Sequence, residues 1–126
     1  MSIAQNRCTR KPTGGKIGKM RKKKKRDIGS DFIPVKIGNT RKMTSRTAGG
    51  GFKHKILQID KVSVADPKTG KTQAVKIITV KENAANPNFV RMNIVTKGAV
   101  VETELGLVKI TSKPGQHGVM NGVLVK

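Results

Sequence analysis

From Lys55 onward the apolar residues recur with a period of two, the signature of strands with one face turned to a core. Lys55 to Ala65 reads as a strand with Leu57 and Ile59 on one face and Val62 and Val64 on the other. The change of phase at Asp60-Lys61 predicts a bulge or a bend. Asp66-Pro67-Lys68-Thr69-Gly70 puts Pro and Gly in turn positions. Thr72 to Lys81 is the next strand, with Val75 and Ile77 on one face and Ile78 and Val80 on the other. After the polar turn Asn83 to Asn88, Phe89 to Thr96 alternates Val90, Met92 and Ile94 against Arg91 and Asn93 and reads as a strand. Ala99 to Glu104 follows, with Val101 inward and Glu102 outward, and then Leu107 to Thr111. A Pro/Gly loop, Ser112 to Gly118, leads to Val119 to Val125, where Val119, Val123 and Val125 are in phase. Upstream, Ile33 to Thr40 is the earliest segment with strand-like alternation.

Six or seven short strands with turn signals about every ten residues predict an all-β fold, a small six- to seven-stranded barrel or a sandwich. Closure protects edges that are rich in Val and Ile. No stretch predicts a helix longer than two turns, and there is no internal repeat.

The first part of the chain carries no such pattern. Lys11 to Arg26, KPTGGKIGKMRKKKKR, has too few apolar side chains to fold by burial. Its glycines disfavour a helix. The expected organisation is an extended basic arm over residues 1–30 and a barrel domain over 31–126. The domain includes a second basic, Gly-rich segment at 41–55.

Charge sharpens that division. The chain has 126 residues and a net charge of +20, which implies a polyanionic partner. Residues 1–55 hold 17 Lys or Arg against two acids, and residues 56–126 hold 10 against five. Aromatics are limited to Phe32, Phe52 and Phe89, too few for extensive stacking on unpaired bases. The single cysteine, Cys8, excludes an internal disulfide and a multi-cysteine zinc site, and a reducing, intracellular setting is the simplest expectation. No apolar run is long enough for a membrane span, and no signal peptide is recognisable. Ile17 and Met20 offer little apolar grip on a membrane surface.

Several constellations resolve into plain structure. Residues 65–72, ADPKTGKT, follow a relaxed phosphate-loop spacing with Ala in place of the first Gly. That mechanism needs a helix next, whereas AVKIITV is a strand, so a hairpin turn is expected. Cys8, His54 and His117 lack the preorganisation of a nucleophile and base, and the two histidines have no cluster to make a metal site. Glu102 and Glu104 are expected to pair with nearby cations rather than to act as acid and base. No catalytic residue, cofactor or small-molecule substrate is expected.

The candidate contacts are therefore to phosphates. In the arm, Arg7, Arg10, Lys11, Thr13, Gly14, Gly15, Lys16 and Lys19 form a glycine-punctuated half. Arg21, Lys22, Lys23, Lys24, Lys25 and Arg26 form a dense half, a run that on its own also fits a nuclear-import signal or a solvated tail. Beyond the arm, Lys36, Arg41, Lys42, Arg46, Lys53, His54 and Lys55 complete the set. Each neutralised phosphate releases counterions, and glycines let backbone amides approach phosphates. With no helix-turn-helix, zinc-finger or aromatic RNA-binding motif, folded RNA is the best physical match.

Two stretches resemble one family. RKPTGGKIGKMRKKKKRDIG (Arg10 to Gly29), with KIG at Lys36 to Gly38, is similar to the amino-terminal signature of the S-eight-e family of archaeal and eukaryotic small-subunit ribosomal proteins. KGAVVETELGLVKITSKPGQHGVMNGVLVK (Lys97 to Lys126) resembles its archaeal members, as does the compact length. The resemblance implies a structural protein of the cytoplasmic small ribosomal subunit, with a β-barrel body and an RNA-penetrating arm. Its partners would be small-subunit ribosomal RNA and neighbouring ribosomal proteins. Family members often carry an Arg-Gly-Gly-Asn-like segment where this chain has Ala48-Gly49-Gly50-Gly51, so that arginine's contact is not carried over. Related domains in eukaryotic ribosome-assembly factors leave a role on precursor RNA as the alternative. An RNA-processing enzyme is the reading from a different class.

Overall fold

The computed structural model describes residues 8–18 and 21–125, without the side chain of Lys25. Contacts divide the chain into Met1–Phe32 and Ile33–Lys126. The second unit holds eight strands: β1 (Lys36–Ile37), β2 (Arg41–Arg46), β3 (Phe52–Ile59), β4 (Lys61–Ala65), β5 (Thr72–Glu82), β6 (Val100–Thr103), β7 (Gly106–Ile110) and β8 (Asn121–Leu124). Two single-turn α-helices, α1 (Asn88–Arg91) and α2 (Pro114–His117), and a 3-10 turn at Ala48–Gly50 interrupt them.

The fold is all-β, as the periodicity predicts, but the strands divide differently. Five strands, β4-β5-β6-β7-β8, close a barrel, and β1-β3-β2 form a separate three-stranded sheet. The six- to seven-stranded barrel is thus corrected to five. The cause lies at Asp60. The predicted single strand from Lys55 to Ala65 is two strands belonging to two sheets. The Asp60 carboxylate accepts the Thr40 hydroxyl at 2.5 Å, and the Ile59 carbonyl accepts the Gly38 N–H at 3.1 Å, which fixes the chain at the corner.

One aliphatic core joins both sheets of this unit. Val35, Ile56 and Ile59 from the small sheet and its approach pack with Val62, Val64, Val75, Val101, Val108 and Ile110 of the barrel. A barrel of few strands has a narrow interior. β-Branched side chains fill it, and one position tolerates none. A Cβ added at Gly122 on β8 would run into the Val108 side chain and lie 3.0 Å from the Lys109 carbonyl. The inward residues of the last strand are therefore Met120, Gly122 and Leu124, while Val119 and Val125 are exposed. The valine phase read from sequence points outward. In β5 the register shifts by one between Ile77 and Thr79, so Ile77 and Val80 are both buried and Ile78 faces solvent.

The segment Phe89 to Thr96 is not a strand. Pro87 begins one helical turn, α1, the Asn86 side chain accepts the Asn88 N–H at 2.9 Å, and Asn93 takes a left-handed φ of 50° that ends it. Ile94 and Val95 are then buried in succession, each bonded to other segments: the Ile94 N–H donates to the Phe89 carbonyl, the Val95 N–H to that of Val35. Buried Asn83 holds this crossover together. Its amide donates to the Ile94 carbonyl at 3.2 Å and its oxygen accepts the Ala85 N–H and the Thr96 hydroxyl, both at 3.0 Å. A buried amide so satisfied stabilises one geometry instead of costing desolvation.

Candidate nucleic-acid interface

In the first unit, the basic stretch is locally ordered by its own polar groups. Thr9 to Ile17 folds back on itself. The Lys11 N–H donates to the Gly15 carbonyl at 2.8 Å, the Ile17 N–H to that of Thr9 at 2.8 Å, and the Arg10 guanidinium to that of Gly14 at 2.9 Å. Arg10 and the Gly14 N–H, which bonds the Lys11 carbonyl, are thus engaged within the loop. Lys11, Thr13 and Lys16 are exposed. Arg7 and Lys19 lie outside the described residues.

The dense half contains a second local structure. Arg21 clamps Asp27 with two guanidinium contacts, 2.6 and 3.3 Å, across a 3-10 turn from Lys25 to Asp27. That leaves Lys22, Lys23, Lys24 and Arg26 exposed in the segment between the two clamped residues. The Arg21 hydrogen bond, with help from the Lys24 N–H and the Arg26 charge, holds the Asp27 carboxyl below the ordinary carboxylate range. A depressed carboxylate supports the folded turn at pH above its ordinary range and loses that support as pH falls through the lowered value. An NMR titration of the Asp27 carboxyl carbon is expected to show a midpoint below that of an unstructured aspartate, restored by Arg21→Gln. A midpoint at the ordinary value in the unaltered chain would show that the clamp does not form.

In the second unit, β2 and β3 make a ribbon exposed on both faces through its outer half. Its register pairs Thr44 with His54, Ser45 with Lys53 and Arg46 with Phe52. Side chains directly opposite share a face and alternate along the strand. Arg46, Phe52, Thr44 and His54 therefore lie on one face, and Lys53, Ser45, Lys55 and Met43 on the other. Thr47 to Gly51 closes the ribbon, with the Thr47 N–H donating to the Gly51 carbonyl at 2.8 Å. Gly49 and Gly50 take left-handed φ of 82° and 81°, which is why glycines stand there. Arg41 and Lys42 lie exposed at the ribbon's base, on β2. Lys36 is on the opposite edge of the sheet, on β1, so β3 separates it from them.

Sequence reasoning missed two features here. α2 packs against β3, with the Gly118 backbone so close to His54 that an added Cβ would sit 2.8 Å from the His54 Cβ. The Ser112–Gly118 loop is thereby fixed beside the ribbon, and the Thr44 hydroxyl holds the His54 ring at 3.0 Å. Lys61 and Lys76, both exposed, stand directly opposite each other on β4 and β5. Like charges in that position repel. Asp60 offsets part of that repulsion; its carboxyl is held low chiefly by the Thr40 hydroxyl and also by Lys61 and Lys76. No sequence signal marks this pair, because it depends on register.

The remaining candidates are structural. ADPKTGKT is the β4–β5 hairpin turn, in which the Asp66 carboxylate accepts the Lys68 N–H and the Thr69 hydroxyl at 3.0 and 2.9 Å. Glu102 pairs with Lys81 at 3.2 Å and accepts the Thr79 hydroxyl at 3.1 Å. Cys8 is exposed, and no group of three or more His, Cys, Asp or Glu side chains converges among the described residues. No helix among the described residues is long and apolar enough to cross a membrane.

Fold and site define a class: a small, strongly basic β-barrel protein with an exposed cationic ribbon. The chain belongs to the family described as Ribosomal protein S8e, whose family model matches residues 4–125. It is similar to proteins named small ribosomal subunit protein eS8 in three archaea. Identity is 50% over 122 residues with that of Methanospirillum hungatei, covering 97% of this chain and 98% of the relative. It is 52% over 122 residues with that of Methanocella arvoryzae, covering 96% and 97%. It is 45% over 125 residues with that of Methanobrevibacter smithii, covering 99% and 100%. The chain is an archaeal-type member, and the family is structural rather than catalytic, so the chain is not an enzyme.

Proposed function

We propose that the chain is a structural constituent of the cytoplasmic small ribosomal subunit that binds folded ribosomal RNA through phosphate contacts. The observation that carries this is the β2–β3 ribbon. No acid occurs between Phe32 and Ile59, while Arg41, Lys42, Arg46, Lys53 and Lys55 stand on two adjacent strands. A two-stranded ribbon with both faces in solvent is marginal alone and suits a surface it can lie against. The basic unit at residues 1–32 adds exposed Lys11, Lys16, Lys22, Lys23, Lys24 and Arg26. The family membership and the archaeal relatives named as small-subunit proteins support this reading.

The test is binding to a transcribed archaeal small-subunit ribosomal RNA across a salt series. About ten phosphate contacts give a slope of log K against log salt near −7 to −9. Binding that ignores salt, or equal affinity for heparin, would overturn recognition of folded RNA through phosphates. Retention in mature subunits after a high-salt wash is expected; release into the wash would favour a transient assembly factor.

A further inference from the structure

We infer that Phe52 is a base-stacking residue, whose ring lies on an unpaired nucleobase of the RNA held by the ribbon's cations. The inference rests on the proposed RNA-binding role and adds to it a contact that phosphate chemistry does not provide.

Phe52 is 65% exposed at the start of a strand that four residues later enters the core at fully buried Ile56. The ring thus sits in water on a backbone that is firmly placed. The turn behind it is closed by the Thr47–Gly51 hydrogen bond, and the next cross-strand pair on its face is tied by Thr44 and His54. Its directly opposed neighbour is Arg46. A flat guanidinium beside an aromatic ring offers two stacking surfaces and a positive charge in one place, the combination that receives a splayed-out base. The surroundings select the partner. The ribbon carries only cations and neutral groups, with no Asp or Glu from Ser45 to Lys55 to receive a basic protein surface. An RNA strand brings both a base for the ring and phosphates for the ribbon's cations.

The chain has no Trp or Tyr, so Phe52→Trp creates a single fluorophore at the site in question. With the full chain and the transcribed small-subunit RNA, the indole emission is expected to fall at least twofold on saturation. A fully paired RNA duplex, bound to the same extent, should leave it unchanged. Phe52→Leu, which keeps bulk but loses the flat face, should weaken binding to the transcribed RNA about tenfold. It should leave the salt slope unchanged, because no phosphate contact is lost. Binding by the unaltered chain with no quenching of the indole, and no loss in Phe52→Leu, would overturn this inference alone. Quenching that appears only when other subunit proteins are added would assign the ring to a protein neighbour and overturn it as well. Failure of the unaltered chain to bind the RNA would instead sink the proposed function. Because the ring is in solvent, the indole reads stacking directly whatever leucine does to stability.

Discussion

Ile56→Ala is expected to lower the melting temperature by on the order of 15 °C, from a loss of about 2–5 kcal/mol. Ile56 is fully buried, and it sits where β3 passes from the solvent-exposed ribbon into the shared core. Removing its outer carbons forfeits their transfer from water and leaves a cavity between two sheets. The surrounding side chains are mostly β-branched and stiff at χ1, so they cannot swing in to fill it. Domains of this size have about 5–15 kcal/mol in total, so the loss is a large fraction of the whole. Ile56→Val, which removes one methylene, should cost only about 0.5–1.5 kcal/mol. Denaturant unfolding of the three chains, compared at a common m-value, measures both. A loss under about 1 kcal/mol for the alanine variant would show that the junction is not tightly packed.

Changing Lys22, Lys23, Lys24 and Arg26 together to Gln should reduce affinity for the transcribed small-subunit RNA by roughly two to three orders of magnitude at about 0.15 M salt, if each meets a phosphate. The slope of log K against log salt should become shallower by about 3. These four side chains are exposed in the segment between Arg21 and Asp27, so the substitutions leave that clamp intact. They bury nothing, and the melting temperature of the second unit should not move. The salt slope separates cations that neutralise phosphates from cations that stay hydrated. An unchanged slope would mean that these cations remain hydrated in the complex and that the affinity resides elsewhere.

Strands with one solvent face and one core face are legible in the amino-acid sequence. β4, β5, β6 and β7 fall close to where period-two alternation places them. Three failures have separate physical causes. Val90, Met92 and Ile94 alternate like a strand, but Pro87 and the left-handed Asn93 decide the backbone, and Met92 faces solvent. On β8 the inward position that fixes the phase is Gly122, which carries no hydrophobic signal, so the outward valines dominate the pattern. The outer half of β3 faces solvent on both sides and has no apolar period to read. The candidate site divides in the same way. Its charge is written in the composition, whereas the pairing of Arg46 with Phe52 and of Lys61 with Lys76 is a product of register. Local chemistry also alters the arm: Asp27 takes up Arg21, and the glycine loop takes up Arg10.

The barrel closes by parallel pairing of β4 with β8, Ser63 beside Asn121 and Val64 beside Gly122. During synthesis this makes closure a late event. Until Asn121 to Leu124 has emerged, β4 and β7 each present an open edge of unpaired amides and carbonyls, the kind of template on which chains aggregate. The basic unit and the β2–β3 ribbon have by then already left the ribosome, since both precede β4 in the chain. Their ribbon contacts are local, whereas the β4–β8 contact spans more than half of the second unit, and such long-range pairings form slowly. The order of emergence therefore gives the nascent chain its charge before its seal. High positive charge keeps the unfinished barrels apart in the interval before the final strand arrives.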